Sequence, residues 1–257
     1  MVIMSVRIEA VFRIQRKCVI PFITANFPSR DKFLDILHQL PDYGASMIEI
    51  GIPFSDPMAD GPVIQATSFQ AIQTGFSIKT LLADIQDFRQ QHPHIPVILM
   101  TYTNPILQYG DTRFYREAEA AGVDGVLVVD RVSQGWSVPG SVADIRLIAP
   151  TTHPDRFHNI QDEASGFLYY VSVTGVTGTQ TPDPVPIAEH LETLTPKRLP
   201  VVIGFGIQSV DLAVSMAALA DGVVVGSSFL KPLLTDSGPA VVHQQLKYIQ
   251  SIAAAIA

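Results

Sequence analysis

The sequence predicts an α/β fold, a (β/α)8 TIM barrel in which eight parallel strands close on themselves inside a ring of helices. Eight short β-rich apolar runs recur along the chain, most of them separated by segments with helical periodicity. The chain has 257 residues, and α/β barrels of about 250 residues commonly fold as one domain. Near-continuous apolar strands alternating with helices imply parallel sheet buried on both faces. A doubly wound open sheet is the structural alternative, but eight evenly spaced units exceed what most open sheets of this length contain. A single domain over residues 1–257 is therefore expected.

The elements follow in order. An extra helix precedes the first strand, VIPFITA at 19. The first outer helix carries Phe33, Leu34, Ile36, Leu37 and Leu40 at helical spacing, with Ser29 and Asp31 as start signals. After the strand MIEIG at 47 comes a loop, then a helix beginning near Val63, then the periodic set Ile78, Leu81, Leu82, Ile85 and Phe88. PVILMTY at 96 leads to a third outer helix announced by Asp111, and GVLVVD at 125 is the fourth strand. The following RVSQGWSVPGSVAD contains Gly135, Pro139 and Gly140 and cannot sustain several helical turns, so the fourth outer helix is expected to be shortened. IRLIAP at 145, FLYYVSV at 167, PVVIGFG at 200 and GVVVGSS at 222 complete the strands, with Ser209 and Asp211 opening the seventh helix.

Composition narrows the function. With 17 basic and 24 acidic side chains the formal net charge is -7, and no basic run offers phosphate neutralisation to a nucleic acid. The N-terminal MVIMSVRIEAVFRIQRK places charges among its apolar residues, unlike a signal peptide, and no run approaches the ~18 apolar residues of a membrane span. A soluble, cytoplasmic protein is expected. Cys18 is the only cysteine, which excludes internal disulfides, and its setting in KCVIPFI reads as a small buried hydrophobe.

Three acids stand out in IEIGIPFSDPMADGP at 48. Alternation along the second strand puts Met47, Glu49 and Gly51 on one side and Ile48 and Ile50 on the other. The isoleucines suit the helical layer, which turns Glu49 into the barrel near the strand's C-terminal end, where barrel active sites form. An unpaired carboxylate is costly there, and stability gives little reason to keep it. The loop beyond is shaped by Pro53, Pro57, Pro62 and Gly61. Asp56 suits internal turn hydrogen bonds, whereas position alone leaves Asp60 as either a helix-capping residue or a second catalytic acid. Glycine-bearing turns at Gly175 to Gly178, Gly204 to Gly206 and Gly226 to Ser228 follow strands six, seven and eight, where barrels bind phosphate through backbone N–H groups and a short helix N-terminus. A phosphorylated small molecule is the expected ligand.

These residues carry a resemblance. The run from Glu49 to Pro62 is similar to the signature of the tryptophan synthase alpha chain family, and the similarity continues through RIEAVF at 7, IPFITA at 20, TYTNP at 101, VSVTGVTG at 171, GFGI at 204 and VVVGSS at 223. The resemblance implies cleavage of indole-3-glycerol phosphate to indole and glyceraldehyde 3-phosphate, with indole passed to a beta subunit in an α2β2 tetramer. It implies no cofactor in this chain, pyridoxal phosphate belonging to the beta subunit. By resemblance Glu49 is the acid/base that protonates the indole ring carbon and helps deprotonate the glycerol hydroxyl, and Asp60 stabilises the charge at the ring nitrogen. Tyr169 then stands near the reacting glycerol and Thr177 meets Asp60. Phe22, Met100, Tyr102, Leu127, Val129, Phe205 and Val224 wall the indole pocket, and Gly178, Gly206, Gly226 and Ser227 bind phosphate. For Phe22, Leu127 and Val129, plain barrel core is the competing reading from the residues themselves. The chain departs from the family pattern at Asn26-Phe27-Pro28 and at Asp130-Arg131-Val132.

Rival chemistries fit less well. A Schiff-base aldolase needs a lysine at an inner strand end, whereas Lys231 falls past the last strand and the other lysines lie in helical or connecting segments. A metal aldolase needs converging histidines, and none of the seven lies at a strand end. Another phosphate-binding barrel isomerase, or a mainly non-catalytic activator of a beta subunit, remains as an alternative.

Overall fold

Each apolar run forms a strand: β1 (Cys18–Thr24), β2 (Ile48–Gly51), β3 (Val97–Thr101), β4 (Gly125–Val128), β5 (Ala143–Ile148), β6 (Leu168–Val171), β7 (Val201–Gly204) and β8 (Gly222–Val225). The strands pair in parallel in chain order, and β8 pairs back onto β1 to close the barrel. The computed structural model describes residues 6–131, 138–172, 182–204 and 206–257.

Among the described residues seven helices form the outer ring: α2 (Arg30–Gln39), α4 (Ile78–Gln91), α6 (Asp111–Ala121), α7 (Pro154–Glu163), α8 (Pro184–Thr193), α9 (Val210–Leu219) and α11 (Pro239–Ile256). Four more are inserted: α1 (Val6–Ile14) ahead of the barrel, α3 (Pro62–Gln73) and α5 (Thr103–Tyr109) after β2 and β3, and α10 (Ser227–Thr235) after β8. The start signals at Ser29 and Ser209 are true caps, their hydroxyls accepting from the N–H of Lys32 and Leu212. Asp111 is instead the first residue of α6, and Gly110 holds the cap position at φ 97°. Gly110 also ends α5, donating to Ile106 and Leu107, and the turn joining the two helices takes a left-handed backbone that an aspartate adopts only at a cost.

Between β4 and β5 no helix occurs among the described residues, and residues 132–137 of the segment expected to hold a shortened fourth helix lie outside them. The outer face of β5 there carries charge: the Arg131 guanidinium pairs with Asp144, which also accepts from Arg146, and Arg146 reaches Glu163 at 3.2 Å.

The N-terminal end of the barrel is closed by α1. Ile8 is fully buried, and a Cβ on Gly125 would come within 3.4 Å of it. Arg7 ties the helix down by donating to Asp124 at 3.0 Å and to the Pro93 carbonyl at 2.6 Å. The opposite, C-terminal end is left for the site. No helix of the described residues is long and apolar enough to cross a membrane.

Candidate active site

Strand register puts Glu49 inside the barrel. It pairs with Phe22 on β1 and Ile98 on β3, so these side chains share one face, whereas Ile48 and Ile50 take the other and are fully buried. Two glycines at the ends of inward-facing rows make room for aromatic rings. A Cβ on Gly51 would lie 2.4 Å from Phe22 Cζ, and one on Gly204 would lie 2.0 Å from Tyr169 Oη. The rings of Phe22 and Tyr169 therefore lie where strand side chains would otherwise stand.

The loop after β2 delivers the second acid. Asp60 is not a helix cap: Gly61 holds the cap position of α3, with Pro62 at its first turn. Its backbone is held by its own N–H donating to Pro57 at 3.0 Å and by Gln65 Nε2 donating to its carbonyl at 2.7 Å. Its carboxylate Oδ2 accepts from the Tyr102 hydroxyl at 3.1 Å. Asp56 is exposed and serves the turn, accepting from the Ser55 hydroxyl at 2.5 Å while its carbonyl accepts from Met58.

Neither acid is in an ordinary environment. Both oxygens of Glu49 and Oδ1 of Asp60 are buried without a hydrogen-bond partner among the described residues. Burial, reinforced by the negative charge of Asp60, pushes the Glu49 carboxyl up to about 8. Burial raises Asp60 as well, to about 6, against the opposing effect of the Tyr102 hydrogen bond. Tyr169 is raised by burial and by both acids, which puts the three groups in one electrostatic neighbourhood.

A small cavity, with about 40 Å³ open to the centres of water-sized spheres, lies at this end of the barrel. Phe22, Asp60, Ile64, Met100, Tyr169 and Val224 line it together with Gly206, Ile207, Gln208, Gly226 and Ser227. Gly206 has φ 79°, a left-handed conformation that favours glycine, and Gly226 caps α10 without a side-chain hydrogen bond. The first N–H groups of α10 and the positive end of its dipole thus meet the cavity, an arrangement suited to a phosphate. An apolar wall, one acid on the lining with a second buried close by, and an anion cradle fit a phosphorylated aromatic substrate.

Comparison with known proteins decides the family. The family model described as tryptophan synthase alpha chain matches residues 9–256. The chain belongs to the tryptophan synthase alpha chain family. It is 42% identical over 249 residues to the alpha chain of Burkholderia lata, covering 94% of this chain and 92% of that one. The alpha chain of Hydrogenovibrio crunogenus is likewise 42% identical over 241 residues, covering 90% and 89%. Among solved structures, tryptophan synthase subunit alpha from Legionella pneumophila strain Paris superposes with a TM-score of 0.87 at 32% identity, covering 97% of this chain and 98% of that one. The family is the lyase that cleaves indole-3-glycerol phosphate, and it works with a beta subunit.

The residues expected from the sequence are placed unequally. Phe22, Asp60, Met100, Tyr169, Gly206, Val224, Gly226 and Ser227 come together on the cavity. Glu49 is coupled to Asp60 and Tyr169 without being part of the described lining, and Tyr102 reaches the site through Asp60. Leu127 is buried facing inward on β4 and Val129 is half-buried just beyond it, neither on the described lining. Thr177, Gly178 and Phe205 lie outside the described residues. Ile64, Ile207 and Gln208 are lining residues that the sequence does not single out as site residues; Ile207 closes the GFGI motif, and the signal for the other two is only that they follow the acid loop and that motif. Cys18 is the inert hydrophobe expected, its thiol pushed up to about 12 chiefly by burial. Among the described residues no group of three His, Cys, Asp or Glu is arranged to hold a metal ion.

Proposed function

We propose that Glu49 and Asp60 divide the cleavage of indole-3-glycerol phosphate between them, and that their unequal environments assign the roles. Around pH 7, with Glu49 near 8 and Asp60 near 6, the dominant state has Glu49 protonated and Asp60 ionised. Glu49 gives its proton to the indole ring carbon that carries the glycerol chain, and positive charge develops at the ring nitrogen. Asp60 Oδ1 accepts from that N–H and opposes the charge where it appears. Glu49, now a carboxylate, takes the glycerol hydroxyl proton as the carbon–carbon bond breaks. Its electron pair returns to the ring, releasing indole and glyceraldehyde 3-phosphate. The proton account closes on Glu49 alone.

Reaching the ring carbon requires the Glu49 carboxyl to turn toward the cavity, and no described hydrogen bond holds it back. Tyr169 stands beside both acids to contact the glycerol, and Gly206, Gly226 and Ser227, with Gly178, bind the phosphate. Phe22, Met100 and Val224, with Tyr102, Leu127, Val129 and Phe205, enclose the indole, and Thr177 meets Asp60. This chemistry needs no cofactor in the chain. Indole passes to a cytoplasmic beta subunit carrying pyridoxal phosphate, within an α2β2 tetramer.

The observation that carries the reading is a pair of buried carboxylates, differently perturbed, beside a cavity whose lining includes Gly206 and, at the start of a helix, Gly226 and Ser227. Single-turnover cleavage by folded variants tests it. Glu49→Gln is expected to lower the rate by about 10³-fold or more and Asp60→Asn by about 10²-fold or more, both still binding substrate. A near-native rate in either variant removes that residue from the mechanism. A Glu49→Gln variant that leaves indole formation by the complex unchanged favours the activator role.

A further inference from the structure

Tyr102 occupies a place that a pocket wall does not require. It follows β3 directly, is buried, and is absent from the described cavity lining. Its ring lies 5.3 Å from Phe54 at 37°, against the early part of the acid loop. Its hydroxyl oxygen accepts from the Ala59 N–H at 3.1 Å and its hydroxyl proton goes to Asp60 Oδ2 at 3.1 Å. One phenol therefore contacts the acid loop at three points, Phe54, Ala59 and Asp60.

We propose that Tyr102 is a positioning residue: its hydroxyl, oriented by the Ala59 N–H, engages Oδ2 of Asp60 so that Oδ1 is the oxygen presented to the substrate and the carboxylate stays ionised at neutral pH. The proposal rests on the role of Asp60 given above and adds the group that sets its orientation and charge. Backbone contacts at Pro57 and Gln65 fix the aspartate's main chain but leave its carboxylate free to rotate. Tyr102 is the donor to Oδ2, and Oδ1 has no partner among the described residues. The titratable groups acting on this corner are Glu49 from β2, Tyr169 from β6 and Tyr102 itself, with Asp130 beyond Tyr102. None of these groups carries a positive charge at neutral pH, so the phenol's hydrogen bond is what opposes the desolvation that drives Asp60 toward its neutral form.

Tyr102→Phe keeps the ring and its contact with Phe54 and removes only the hydroxyl. Steady-state cleavage of indole-3-glycerol phosphate by this variant is expected to lose kcat by about ten- to a hundredfold, as for a hydrogen bond to a charged group, with KM within about threefold. The acid limb of its pH profile should move upward, and a ¹³C titration of the Asp60 carboxyl should move the same way by about one pH unit. Site-specific 3-fluorotyrosine at position 102, a stronger donor of nearly the same shape, should move the titration down. A rise in KM with kcat and both titrations unmoved makes Tyr102 a wall residue and overturns the proposal, as does a Tyr102→Phe loss undiminished in an Asp60→Asn background. A near-native rate in Asp60→Asn alone overturns the role of Asp60 and this proposal together, so the two failures are separable.

Discussion

At the scale of single residues, the proposed mechanism rests on two buried carboxyl groups that stability alone would remove. In the proposed mechanism Asp60 is charged and Glu49 protonated at the first proton transfer, so kcat/KM should follow a bell with limbs near pH 6 and pH 8. A profile flat between pH 5 and 9 would contradict the division of labour. The same burial has a cost at equilibrium. Glu49 is raised from 4.5 to about 8 on folding, so its contribution to stability is fully present below 4.5 and is lost as pH rises through 8. Glu49→Gln should therefore gain on the native chain with increasing pH, by up to a few kcal/mol above pH 8, a melting shift of roughly 5 to 10 °C for a chain this long. Melting temperatures of both proteins across pH 4 to 9 check this. The sequence made the placement of Glu49 legible because strand alternation is a strict rule. The partner of Asp60 was not legible, since Tyr102 lies 42 residues away and no local pattern links a loop acid to the end of another strand.

At the scale of elements, the strands were readable because parallel barrel strands are buried on both faces and keep apolar runs that helices break into stripes. What the runs did not reveal is where a strand gives up its own side chain to a neighbour's. Gly51 on β2 yields to Phe22 on β1, and Gly204 on β7 yields to Tyr169 on β6, two inter-strand contacts that appear only once the register is known. A methyl group at Gly51 cannot coexist with the Phe22 ring in place, and the ring's available space is the substrate cavity it lines. Gly51→Ala should raise KM for indole-3-glycerol phosphate about tenfold or more and destabilise the chain by about 1 to 3 kcal/mol, the usual range for overpacking. Steady-state kinetics and urea unfolding measure both. Unchanged KM would mean that Phe22 moves away from the cavity instead. The helix signals were more mixed. Serine caps were legible because their hydroxyls act locally, while Asp111 lost the cap position to a glycine whose left-handed backbone ends the preceding helix, α5, which had not been expected.

At the scale of the whole molecule, the barrel's two ends have separate tasks. The N-terminal end is sealed by α1, and the C-terminal end carries the cavity and exposed apolar side chains that include Met58 in the acid loop and Leu107 on α5. The departure from the family pattern within Asp130-Arg131-Val132, at Arg131 and Val132, lies at this end too, and Val132 falls outside the described residues. In the fold Asp130 and Arg131 have internal partners. Asp130 accepts from the N–H and hydroxyl of Thr103 at the start of α5, and the Arg131 side chain is only 4% exposed against Asp144. Arg131 is thus absorbed by the charged outer face of β5, in the place where a fourth outer helix is lacking among the described residues. Stability and docking should accordingly separate. Arg131→Ala breaks a buried ion pair and is expected to cost about 3 kcal/mol in urea unfolding, with affinity for a beta subunit within about threefold. Leu107→Asp, placing a charge on an exposed apolar spot beside the cavity end, should leave unfolding almost unchanged and weaken beta-subunit binding about tenfold or more in calorimetric titration. Docking that survives Leu107→Asp but fails with Arg131→Ala would reverse the assignment, making the charged segment the contact and the apolar spots incidental.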